Sequence, residues 1–203
     1  MKKFERLPAE SRKQEIKTAA IRIFLEKGFK ATTMENIISE VTLSKGGVYR
    51  LYSSTQAILS DIILDGARAR NDFYRQRALE KTAYGEQIDI PMIAEILCDG
   101  MLFYPEIAEI YTEFLIEKRR NPELELLYQK ICRETTEQTL KMIEQMGLQK
   151  ELSLNEKKME RLTDLMNTAI LGIVILKQRD HYEKVKQQLL TALLSVLSEG
   201  DET

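Results

Sequence analysis

Residues 32–59 read TTMENIISEVTLSKGGVYRLYSSTQAIL, an order of parts that gives two short helices, a tight turn between them and the start of a third helix. Thr32 or Thr33 is placed to cap the first helix, and Thr32-x-x-Glu35 fits a capping box in which each side chain satisfies the other residue's free N–H. Ile37, Ile38 and Val41 then give that helix one apolar face. After a turn at Thr42-Leu43, Ser44 opens the second helix, whose first turn, Ser44-Lys45-Gly46-Gly47, combines a hydroxyl, a cation and almost no side-chain bulk. A helix N-terminus of this kind offers N–H groups and a positive dipole end to phosphates, while the residues after it face base edges in a major groove. The partner expected from this stretch is double-stranded DNA.

The charge distribution agrees with that expectation, although the overall balance does not. The 203-residue chain has a net charge of −2. Residues 1–60 hold 11 Lys+Arg against 6 Asp+Glu, whereas the remainder holds 19 against 26. The excess of cations therefore coincides with the helix-turn-helix, and Lys2, Lys3, Arg6, Arg12 and Lys13 form a basic lead-in to it. A hydrophobic content of 43% and a charged content of 31% describe a globular chain. No apolar run approaches the roughly 20 residues of a membrane span, and the start of the sequence lacks a signal-peptide core, so a cytoplasmic protein with no membrane partner is expected. Cys98 and Cys132 lack metal-ligand spacing and are expected as free thiols.

Upstream of the motif, Ile16, Ala19, Ala20, Ile23 and Phe24 recur with helical spacing. Gly28 is placed to end that helix in a left-handed conformation, with Phe29 folding back on Phe24. The segment from Ile16 to Leu59 resembles the DNA-binding domain of the TetR family of bacterial transcriptional regulators. The matching pieces are Phe24-x-x-x-Gly28-Phe29, the Thr32-Thr33 cap, Ile37, Leu43-Ser44-Lys45-Gly46, Val48-Tyr49, and Tyr52 followed by Ser54 and Leu59. The resemblance implies that Thr33, Ser44, Lys45, Gly46, Gly47, Tyr49, Arg50 and Thr55 form the DNA-contacting set. Chemistry gives Lys45 and Tyr49 a phosphate each and Arg50 a bidentate contact to guanine, while Tyr52 is assigned to the core. The sequence departs from the family pattern at Gly47, Leu51 and Thr55, where relatives often carry DNA-holding side chains, and at Thr42, where Gly is usual.

The rest reads as helices throughout, giving an all-α fold: an N-terminal three-helix helix-turn-helix domain over residues 9–69, its motif at about 32–51, and a larger helical ligand-binding and dimerisation domain over residues 70–203. A long connector starts at Ser53-Ser54-Thr55 and runs toward Arg77. Gly85 marks a loop, Pro91, Pro105 and Pro122 open helices, and Gly147 closes one with Leu148 against Ile143. Ser153-x-x-Glu156 is read as a second capping box. The helix after it, apolar nearly all round from Leu165, and the last helix each need cover on two sides. Leu165, Leu171, Gly172, Ile175, Leu190, Leu194 and Leu197 are the expected homodimer interface, an intermolecular four-helix bundle.

No catalytic, cofactor or metal motif is present. The single histidine, His181, lies in a charged turn, and Glu106, Glu109, Glu113 and Glu117 read as a solvated helix face. The chain is expected not to be an enzyme. By the family resemblance, Met92, Met101, Phe103, Tyr111, Phe114, Tyr128, Met142 and Met166 would line a pocket for an unknown small-molecule effector, mostly hydrophobic; by composition alone the same residues are core. The function expected is a homodimeric repressor that such a ligand releases from its operator. The competing expectation is a helical ligand-binding or enzymatic protein that does not use its helix-turn-helix for DNA.

Overall fold

A computed structural model describes residues 8–86, 88–101, 104–148, 152–176 and 182–198, the side chain of Lys184 excepted. Phe103, His181 and the basic residues Lys2, Lys3 and Arg6 lie outside them. The described residues form nine α-helices and no strand: α1 Ala9–Lys27, α2 Met34–Ile38, α3 Lys45–Leu51, α4 Thr55–Ala83, α5 Ile90–Met101, α6 Pro105–Glu117, α7 Pro122–Gln145, α8 Glu156–Ile175 and α9 Tyr182–Ser198. A single 3-10 turn, Lys118–Arg120, joins α6 to α7.

The first helix buries Ile16, Ala20, Ile23 and Phe24, as its periodicity predicts. Phe29 packs edge-on to Phe24, with ring centroids 5.4 Å apart. Gly28 has φ +79° but ψ 152°, so it is not in the left-handed helical region expected of it. The cause lies 84 residues away: the Phe29 N–H, which a helix-closing turn would aim at a carbonyl of α1, donates instead to Glu113 Oε2 of α6 at 2.8 Å. Only glycine adopts that backbone conformation without strain. Glu113 is therefore not on a solvated face, whereas Glu117 is half-buried, its carboxylate 3.9 Å from the exposed Lys30.

Two caps differ from expectation. Thr32 is 6% exposed and donates its hydroxyl to Gly28 O at 2.9 Å, which leaves Thr33 to cap α2. Its capping box closes with Asn36 rather than Glu35, through Asn36 N–H to Thr33 Oγ1 at 3.2 Å and Thr33 N–H to Asn36 Oδ1 at 3.0 Å. The helix α8 likewise starts after Asn155, whose side chain accepts from Lys158 N at 2.9 Å. Ser153 sits two residues too early, at φ +43°. The C-terminus of α7 closes as expected, with Gly147 at φ +71° and Leu148 N–H bonded to Ile143 O at 3.1 Å.

Helix α4 is the spine. Its 29 residues span about 43 Å at 1.5 Å per residue, and it packs on α1, α5, α6 and α7. One apolar core joins α1 to α4 with Ile110 and Phe114 of α6 and Leu124 and Ile131 of α7; a second fills the body between α5, α8 and α9. The head also holds a buried charge. Lys17 is 3% exposed; its ammonium pairs with Asp65 of α4 and lies 3.9 Å from Asp61. In the body, Lys158, 7% exposed, donates to Leu152 O and to Leu197 O near the end of α9, each at 3.2 Å.

Burial alone would raise the Asp65 pKa, but hydrogen bonds from Lys17 and Arg68 outweigh it and hold the carboxyl below the ordinary value of 3.8. A lowered folded-state pKa stabilises the fold above that ordinary value, and the contribution is lost as pH falls from there through the lower folded-state pKa. We predict that Asp65→Asn costs about 1–2 kcal/mol in urea unfolding at pH 7, less than the roughly 3–5 kcal/mol of a fully buried pair because solvent screens this carboxylate. The loss should shrink as pH falls through 4, so the stabilities of wild type and variant converge in acid.

Candidate nucleic-acid interface and body cavity

The local sequence fixes which side of α3 faces out. Ser44 has extended backbone and accepts from Gly47 N at 3.2 Å, starting the helix. Val48 is fully buried, and Tyr52, just past the helix end, is 5% exposed. These two turn Ser44, Lys45, Gly46, Tyr49 and Arg50 to solvent on the opposite side. Thr33 is exposed at the start of α2, whereas Gly47 and Thr55 are half-buried, Thr55 being the first residue of α4. A Cβ at Gly47 would meet Ser44 Oγ at 3.3 Å and the Leu43 side chain at 3.6 Å. The small residue thus leaves room for the cap. Leu51 is half-buried against the head core, which accounts for an apolar residue where relatives often carry a DNA contact.

Charges on this surface differ in freedom. Lys45 Nζ lies 3.2 Å from Glu35 Oε1 and 5.8 Å from the Tyr49 ring centroid. The Glu35 carboxyl is held below its ordinary value by its own backbone N–H first and by Lys45 second. Arg22 pairs with Glu40, and Lys13 with Asp61 at 3.6 Å. Arg50 has no carboxylate partner among the described residues, which leaves its five donors available to a phosphate or a guanine edge. Thr42, at the turn, donates its N–H to Glu15 of α1 at 2.5 Å. This bond positions a turn that lacks the usual glycine.

Tyr52 fixes α3 to the spine. Its hydroxyl donates to Asp61, beside Lys17, and burial together with that carboxylate raises its pKa. Sequence reading placed Tyr52 in the core but gave no sign of Asp61 or Glu15 as partners, since each is an ordinary surface residue by composition, and it gave Glu35 to the cap of α2 rather than to Lys45.

The residues matched by the family model for bacterial regulatory proteins of the tetR family are 16–62, the segment just described. The head is a TetR-family domain. Two curated relatives from Bacillus subtilis (strain 168) are similar to this chain. YfiR, an uncharacterized HTH-type transcriptional regulator, is 32% identical over 117 residues, 56% of this chain and 55% of its own length. YerO, of the same description, is 44% identical over 48 residues, 24% of this chain and 17% of its own. The chain therefore spans about half the length of the first and less of the second. Solved structures match nearly end to end. A TetR-family regulator from Syntrophomonas wolfei str. Goettingen aligns over 97% of this chain and 100% of its own with a TM-score of 0.72 at 16% identity. GusR of Salmonella enterica aligns over 98% and 100% with a TM-score of 0.68 at 18% identity. At such identities the likeness is one of fold, and it extends past the TetR-family head into the helical body.

That body holds a partly open cavity of about 220 Å³ between α4, α5, α6, α7 and α8, more than ten times the roughly 15 Å³ of probe-occupied space one water needs. Of the expected pocket residues, Met101, Tyr111, Met142 and Met166 line it. Met92 and Phe114 do not; they are buried in cores beside it. Tyr128 lies one step behind the wall, its hydroxyl accepting from Asn167 Nδ2 at 2.9 Å while Asn167 Oδ1 accepts from Tyr111 at 3.0 Å. Asn167 was not legible as the joint of these two tyrosines, nor were Arg70, Asn71 and Tyr74 as lining residues. Among the described residues no group of carboxylates, thiols and imidazoles could hold a metal ion, and no helix is long and apolar enough to cross a membrane. Cys98 and Cys132 are free thiols, with burial pushing Cys98 up to about 11.

A Cβ added at Gly46 would meet nothing within 4 Å. Gly46→Ala should therefore raise stability by about 0.5–1 kcal/mol through reduced chain entropy, read as a higher urea midpoint with an unchanged slope.

Proposed function

We propose that the chain is a DNA-binding transcriptional regulator, a homodimeric repressor that a small, mostly apolar ligand releases from its operator. The observation that carries the reading is the outward edge of α3, where Ser44, Lys45, Gly46, Tyr49 and Arg50 share one exposed side of a capped helix inside a TetR-family head. Val48 and Tyr52 hold the other side. In this reading Ser44, Lys45, Gly46 and Tyr49 meet phosphates, Arg50 reads a base, and Thr33, Gly47 and Thr55 border the contact. Lys45 exchanges Glu35 for phosphate on binding. The regulator description of both relatives supports the same reading.

Dimerisation is supported by apolar surface at the end of α8. Ile175 is 54% exposed and Leu176 64% exposed, and a Cβ at Gly172 would meet nothing within 4 Å. Leu165, Leu171, Leu190 and Leu194 are half-buried alongside. Leu197 is a correction to the expected interface, because it is 2% exposed within its own chain. Its spacing from Leu189 and Leu193 places it on the inward face of α9 with them. Leu176, which sequence reading left out of the interface, takes its place.

A gel shift with DNA from upstream of the chain's own gene tests the activity, and the absence of salt-sensitive, sequence-preferring binding would overturn it. Lys45→Ala should weaken all sequences alike and lower the salt slope by about 1, whereas Arg50→Ala should cost about 1–3 kcal/mol and relax preference at one base position. Gly46→Ala should bind less tightly despite its higher stability. For the dimer, Ile175→Glu should give monomers by light scattering; an unchanged mass places the interface elsewhere.

A further inference from the structure

Four arginines lie in the middle of α4, and three have carboxylate partners. Arg68 bonds Asp65, Arg75 bonds Asp72, and Arg77 lies 3.3 Å from Glu80 and 3.8 Å from Asp99. The fourth, Arg70, lines the body cavity, is half-buried, and has no hydrogen bond or ion pair with any described residue. Its field reaches two tyrosines on the same cavity wall, opposing the rise that burial imposes on the hydroxyls of Tyr74 and Tyr111. Neutral donors stand near it in the fold. Asn71, 8% exposed, has Oδ1 placed 3.4 Å from the Thr139 hydroxyl, and its Nδ2 has no acceptor among the described residues. The hydroxyls of Tyr74 and Thr136, both lining the cavity, likewise have no hydrogen-bond partner among them. The remaining wall is largely apolar, with Ile63, Leu97, Met101, Met142, Met166 and Ile170.

A guanidinium facing a mostly apolar cavity, with no counter-ion among the described residues, carries a desolvation cost that an anion in its fork offsets. With one cation and only neutral donors beside it, a single negative charge is matched, while a phosphate dianion would leave one charge uncompensated. We infer that the cavity takes an amphipathic monocarboxylate, its carboxylate held by Arg70 with Asn71, Tyr74 and Thr136, its apolar tail lying among the methionines and isoleucines. This rests on the ligand-responsive reading above and sharpens it, from a mostly apolar effector to one with an anionic head. The geometry also fixes where the head binds: Tyr74 stands one helical turn beyond Arg70 on α4, and a Cβ at Gly100 would fall 2.2 Å from its ring, so Gly100 makes room for the tyrosine at that end of the cavity.

The test is calorimetric titration of the purified full chain, without DNA, using octanoate, octan-1-ol and octylammonium. Octanoate should bind at least about tenfold tighter than either of the others, a difference of about 1.4 kcal/mol. Arg70→Gln should reduce octanoate to the level of octan-1-ol and leave octan-1-ol unmoved. Should that variant not fold, Arg70→Lys carries the test, with an expected loss of about three- to tenfold for octanoate alone, because a point charge replaces a planar fork. Equal affinity for octanoate and octan-1-ol, or equal loss of both in the variant, overturns the carboxylate assignment and leaves an apolar effector standing. Binding of none of the three by a chain that still shifts DNA overturns the ligand cavity and leaves the DNA reading intact.

Discussion

Lys17 is an ammonium almost wholly withdrawn from water, and the placement of α3 follows from how its charge is compensated. Asp65 pairs with it and Asp61 lies close by, both on α4, so this side of α1 is held against the spine. Asp61 also accepts from Tyr52, the residue that ends α3. One cation thereby joins three of the four helices in the head. Charge pairs of this kind contribute little net stability compared with apolar packing of the same volume. Their effect is on uniqueness, since a packing that turned Lys17 away from α4 would leave it buried without a counter-ion. The ridge of Ile16, Ala20, Ile23 and Phe24 supplies the burial, and the ion cluster selects which of its packings is populated.

The body repeats the device with carbonyls. Lys158 donates to two backbone oxygens, one before α8 and one near the end of α9, where the accumulated carbonyl dipoles favour a cation. It fastens the last helix to its neighbour at the end opposite Ile175 and Leu176. The exposed apolar surface at Ile175 and Leu176 therefore stands on helices whose far ends are tied.

What could be read in advance was local. Ser44 and Ser54 announce their helices by position, Phe24 and Phe29 by the glycine between them, and Tyr52 against Tyr49 by alternation with Val48 and Leu51. These are signals spanning a few residues. What escaped reading was paired over distance or depended on which of two like residues is free. Glu113 meets Phe29 across 84 positions, and in sequence it is one glutamate in a run that looks solvated. Arg70 is indistinguishable in sequence from Arg68, Arg75 and Arg77; only the cavity beside it and the lack of a carboxylate partner among the described residues set it apart. Thr32 and Thr33 were equally good caps until the hydroxyl of Thr32 turned back to Gly28. Leu197 was assigned outward with Leu190, seven residues before it, although it lies equally one turn beyond the inward-facing Leu193.

The head core does not stop at the head. Ile110 and Phe114 of α6, with Leu124 and Ile131 of α7, belong to the same apolar cluster as Ile16, Phe24, Ile37 and Val48, and Glu113 completes the end of α1. A chimera that joined residues 9–69 to another body would expose the side of α1 that Phe114 covers and would strand the Phe29 N–H. Transplanting this head onto a different body therefore means carrying the matching surface of α6 along with it. The grafted unit is discontinuous in sequence although contiguous in space.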